Sequence, residues 1–258
     1  MQVDRRIKDN HLIFNKTKDG TSYLILFIAS LLFIELGISA FIFPLKLLKG
    51  QIPFNSIYAI KNVLSLSSIV VQVIAYIFFI CAIVVICNKV LLVEAHDFKL
   101  RLGRNIGLLF AFGIGIYVVD GIVSRIYFNL GETGTSMNQL MIYGALSSPV
   151  KWPTIILVVL LAPIVEEIIY RKFMIGTLHL KLKLPIWVAG LLSAVIFALI
   201  HVSSSIDQLI YFPQYFALAF VLVSAYIYSG QNIYFSIGVH IFNNTVSILI
   251  WAISTLIR

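Results

Sequence analysis

The chain has 258 residues, of which 60% are hydrophobic and 12% charged, with a mean hydropathy of +0.99 and a net charge of +8. A soluble domain is about 45–50% apolar and about 25% charged. Water cannot solvate an exterior this apolar, whereas lipid can, and the basic residues sit mostly between apolar runs, where they set topology and meet anionic head groups rather than nucleic acid.

Residues 1–21 are polar and charged, with no short apolar region of the signal-peptide kind, so they are expected to form a cytoplasmic N-terminal segment. Residues 22–258 then form a single membrane domain. A spanning helix needs about 20 mostly apolar residues. Seven stretches qualify: 22–43, 64–93, 106–130, 153–178, 184–202, 208–228 and 233–257. The stretch 64–93 is long enough to tilt or to leave the bilayer. The segment 51–62 is a candidate for an interfacial or eighth short helix. The predicted fold is therefore an all-α polytopic membrane protein with about seven to eight transmembrane helices. With the N-terminus inside, the inner segments hold 13 Lys and Arg and the outer ones 6, which favours N-inside and C-outside for seven spans. The longest polar connection, 131–151, reads as a loop. Cys81 and Cys87 share one apolar run and show no metal-ligand spacing.

Charged side chains within spans are costly, about 2.5–3.5 kcal/mol each on insertion scales, and usually mark function. Glu166 and Glu167 lie midway along the fourth stretch, with Arg171 four residues beyond Glu167 on the same face. Glu166 points about 100° away from Glu167. One carboxylate is thereby paired and the other left as a usable proton acceptor. The bland alternative, an intrahelical ion pair near a snorkelling arginine, accounts for Glu167 and Arg171 but not for Glu166. Phe197 and His201 close the fifth stretch. His240 and Asn244, four apart, share a face of the seventh and can donate to one small target, or equally serve as interhelical hydrogen-bonding glue. Glu35 in the first stretch has no local partner, and Asp120 in the third has Arg125 as its candidate partner.

Glu, His, His and Asn on three helices supply the parts for peptide hydrolysis without a serine or cysteine nucleophile. A carboxylate and an imidazole can hold and deprotonate water, while a second imidazole and an amide can donate to the developing oxyanion. The order EExxxR (Glu166, Glu167, Arg171), FxxxH (Phe197, His201), HxxxN (His240, Asn244) resembles the CPBP family, the CAAX-protease and bacteriocin-processing membrane endopeptidases. The resemblance covers about residues 153–247, the expected catalytic core. It implies a CAAX-protease-like helical bundle with a site in a cavity within the membrane. Glu166 and His201 would activate water, His240 and Asn244 would form the oxyanion hole, and Glu167, Arg171 and Phe197 would support the site. It also implies a peptide or membrane-tethered protein as substrate; the composition makes membrane lipids the surroundings, and the plain single-domain build points to a bacterial plasma membrane as location.

No cofactor is expected. Zinc is the alternative, since Glu and His can ligate it, but HExxH is missing and the spacings match no familiar zinc signature. Two other readings stay open. One is a non-catalytic scaffold, regulator or bacteriocin-immunity protein of the same fold. The other is an ion-coupled carrier using Glu35, Asp120 and the glutamate pair, although no inverted repeat supports it. One tension is internal to the topology: His201 ends its span outside, His240 begins nearer the inside, and Glu166 lies between. Straight helices keep these apart, which makes Pro163, Pro185 and Pro213 candidate kinks.

Overall fold

The computed structural model describes residues 20–33, 57–132, 134–202 and 206–257. Glu35, the first half of 51–62 and nearly all of the N-terminal segment lie outside these residues. Among the described residues the chain is helical: α1 (Thr21–Phe33), α2 (Ile57–Leu100), α3 (Leu102–Asn129), α4 (Met137–Leu146), α5 (Lys151–Lys181), α6 (Ile186–Val202), α7 (Phe212–Tyr228) and α8 (Ile233–Leu256). A 3₁₀ turn, Ile206–Tyr211, leads into α7.

Among the described residues, five helical stretches are long and apolar enough to cross a membrane, namely those ending at Leu100, Asn129, Lys181, Tyr228 and Leu256. The apolar helices α1, as far as it is described, and α6 are shorter. The protein is a helical polytopic membrane protein. α2 runs to Leu100, beyond the predicted end at residue 93, and leaves helical geometry at Cys87 (φ −106, ψ 15). At 44 residues it is about 66 Å long, twice the thickness of the hydrocarbon core, and so continues past the bilayer.

The polar connection 131–151 is not simply a loop. It contains α4, whose first turn is capped by Ser136, the hydroxyl accepting from the Gln139 amide at 3.3 Å. A ten-residue helix is too short to register as a span. Two expected kinks are also corrected. Pro213 sits in the first turn of α7 and Pro185 immediately precedes α6, places where a proline's missing N–H costs nothing. Pro163 alone lies within a long helix. There α5 alternates between α turns and wider π turns, at Leu157–Leu161, Glu167–Ile175 and Thr177–Lys181.

The helices pack through small residues, as membrane helices do. A Cβ on Gly190 of α6 would lie 2.5 Å from Val223 of α7, and one on Gly113 of α3 would lie 2.3 Å from the Phe242 ring of α8. The main core gathers Phe79, Val165, Ile169, Phe173, Phe197 and Tyr226 around α5. Large apolar side chains such as Phe78, Val85, Phe110, Ile114 and Ile122 face outward, which is where lipid takes the place of water.

Candidate active site

The acid pair of α5 is split by its environment. Glu167 is fully buried, and its carboxylate meets Arg171 Nε at 3.3 Å, His240 Nδ1 at 3.1 Å and the Ser236 hydroxyl, which donates to Oε2. Arg171 is fully buried too. It donates to Ser193 Oγ at 3.2 Å and lies 4.9 Å over the Phe197 ring. Ser193 in turn donates to the Tyr170 carbonyl at 2.8 Å. The pairing read from the i, i+4 spacing is therefore present, within a wider network that reaches α6 and α8.

Glu166 faces elsewhere. Its side chain is 21% exposed, into a cavity of about 1060 Å³ also lined by Phe197, His201, His240 and Asn244. Glu166 Oε2 stands 3.7 Å from His240 Nε2, an ion-pair separation rather than a hydrogen bond. His240 is 3% exposed and lies between the two glutamates, one on each ring nitrogen.

His201 is held by its ring faces and by one nitrogen. It stacks on Phe197 (centroids 4.3 Å apart, 29° between planes) and on Tyr215 (5.1 Å, 29°). Its Nδ1 lies 2.8 Å from the Phe197 carbonyl. A carbonyl oxygen only accepts, so Nδ1 carries the hydrogen, and in the neutral ring the lone pair is on Nε2. Tyr215 is itself fastened to the start of α4: its hydroxyl shares a 2.7 Å hydrogen bond with Ser136 and accepts from Asn138 at 3.2 Å. Asn244 donates from Nδ2 to the Val158 carbonyl at 2.8 Å, and its Oδ1 accepts from Asn243 at 3.0 Å.

The depth conflict between the two histidines is bridged by Phe197, one turn before His201. Its buried ring lies against His201, and 6.2 Å from His240 at 68°. All seven motif residues are thus joined by direct contacts or by the shared cavity wall. Among the described residues, Asp120 does not join them. Asp120 accepts from Gln214 at 2.7 Å, while Arg125, its expected partner, lies over Phe128 instead.

Three contributors were missed in the sequence. Ser236 precedes His240 by four residues, so Ser236, His240 and Asn244 form one stripe along α8, a signal the spacing carried. Tyr215 had no signal, being one of 12 tyrosines. Glu94 at the far end of α2 pairs with Lys172, and its Oε2 accepts from the Ile233 amide at 2.8 Å. It thereby ties α2, α5 and the start of α8 together.

Among the described residues no three His, Cys, Asp or Glu side chains are gathered as metal ligands. Glu167 is committed to Arg171, Ser236 and His240.

Residues 148–246 match the family described as type II CAAX prenyl endopeptidase Rce1-like. Over this segment the chain is similar to the CAAX-protease family. It carries all three motifs and most of the helices that build the cavity. No curated protein and no solved structure matches the chain. The long apolar helices make this a membrane protein, and residues 148–246 are what it shares with CAAX-type proteases.

Proposed function

We propose that the protein is an intramembrane endopeptidase that hydrolyses a peptide bond of a membrane-associated peptide or protein with water activated by Glu166 and His201. The observation that carries the reading is the split of the acid pair. Glu167 is fully buried and triply partnered, while Glu166 opens into the cavity that His201, His240 and Asn244 also line.

The Glu166 carboxylate and His201 Nε2 hold a water by accepting its two hydrogens, and Glu166 takes one proton as the water oxygen attacks the peptide carbonyl. The proton passes to the leaving amine as the C–N bond breaks. The oxyanion of the tetrahedral intermediate receives N–H groups from Asn244 Nδ2 and His240 Nε2. With Nδ1–H given to Glu167, a His240 ring that also presents Nε2–H is the imidazolium. The charges then balance, two carboxylates against one guanidinium and one imidazolium. The cavity takes the substrate from within the bilayer of a bacterial plasma membrane. No cofactor takes part.

The test is cleavage of a panel of membrane peptides by purified protein in nanodiscs, wild type beside Glu166→Ala. Cleavage by the wild type alone supports the reading. Equal cleavage by both sinks it. If a cellular function of the protein survives Glu166→Gln combined with His201→Ala, the non-catalytic scaffold takes its place.

A further inference from the structure

We infer that Pro163 is a positioning residue for Asn244, acting by leaving a backbone carbonyl of α5 free to hold its amide. The inference rests on the role proposed for Asn244 above, but its structural half stands without it.

At the π turn Leu157–Leu161 the hydrogen bonds run from each amide to the carbonyl five residues back, and the Ala162 N–H bonds to the Leu157 oxygen. The next bond in that register runs from residue 163 to the oxygen of Val158. Residue 163 is proline and has no N–H to give. The Val158 oxygen is thus the carbonyl this proline cannot cap. Asn244 Nδ2 fills its place at 2.8 Å, from the facing helix, 86 residues away in sequence.

Membrane helices must satisfy freed backbone groups from neighbours, because lipid offers no water. Here that requirement fixes a side chain of the site. One Nδ2 hydrogen goes to Val158, Oδ1 accepts from Asn243, and the second Nδ2 hydrogen is left for the cavity that Val158, Asn244 and Glu166 all line. The donor proposed for the oxyanion is therefore aimed by the absence of an N–H three residues before Glu166. Any other residue at 163 restores that N–H. It then competes with Asn244 for the Val158 oxygen, and the amide is freed to rotate.

The experiment uses full-length protein labelled with ¹⁵N-asparagine in detergent micelles, with Asn244→Ala used to assign the signal. Wild type is expected to show one Asn244 side-chain hydrogen slowed in solvent exchange. Pro163→Ala should lose about tenfold of that protection. Unchanged protection in folded Pro163→Ala overturns the inference. Pro163→Gly, which also regains the N–H, serves as the second variant. On a cleaved peptide, Pro163→Ala should lower kcat about tenfold, leave KM within about twofold, and have no further effect in an Asn244→Ala background. An equal loss in both backgrounds also overturns it. If no peptide is cleaved at all, the exchange measurement still decides the inference, so the failure of the proposed function is read separately.

Discussion

His201 lies flat on Phe197, ring centroids 4.3 Å apart, and donates its Nδ1 hydrogen to the carbonyl of the same residue. The i, i+4 spacing of FxxxH allows both contacts at once. The ring thereby fixes its own tautomer, with the Nε2 lone pair as the free acceptor. Tyr215 closes the opposite face and is held by Ser136 and Asn138 at the start of α4.

Tyr215 should therefore matter through its ring more than its hydroxyl. Tyr215→Phe keeps the stack and is expected to cost only a few-fold in kcat. Tyr215→Ala frees the imidazole and should cost about 10- to 100-fold, with KM little changed. Steady-state kinetics of the two variants check this. Equal losses would mean that the hydroxyl bridge to α4, and not the stack, sets the ring.

The buried network predicts a separation of stability from activity. Arg171→Met leaves the Glu167 carboxylate buried without its guanidinium and should cost about 3–5 kcal/mol. Glu167→Leu combined with Arg171→Met removes both charges and should recover much of that loss. The double variant stays inactive, because His240 no longer has a carboxylate on Nδ1. Thermal unfolding in detergent beside peptide cleavage reads the two effects.

The global arrangement was legible from hydropathy. A 20-residue apolar window is a strong signal, and each of the seven stretches falls on a helix as far as its residues are described. The window could not see α4, whose ten residues are too few to span. The Glu167–Arg171 pair was legible because it is local in sequence. Tyr215 and Glu94 were not, since their partners are 79 and 139 residues away and no spacing encodes them. Asp120 illustrates the opposite error. Its nearby candidate partner, Arg125, is an attractive sequence pairing, but a side chain 94 residues away supplies the hydrogen bond.

Glu94 yields a further stability prediction. It accepts from the Ile233 amide at the start of α8 and pairs with Lys172 of α5. Glu94→Ala removes the cap and strands a largely buried lysine, with side-chain exposures of 12% and 13% in the pair. The expected loss is about 3–5 kcal/mol. Glu94→Ala combined with Lys172→Met should regain the part due to the stranded charge. Thermal midpoints of the three proteins in detergent decide it, and no difference between the single and double variants would contradict the charge argument.

The most direct test of the central claim takes one peptide that the purified protein cleaves and follows its products by mass spectrometry, with wild type beside Glu166→Gln, each with and without a chelator. Glu166→Gln keeps the size of the side chain and removes its basicity. The account predicts a fall in kcat of at least about 10³-fold for Glu166→Gln, with the protein still folded and wild-type cleavage unchanged by the chelator. Cleavage by Glu166→Gln at near wild-type rate would contradict it.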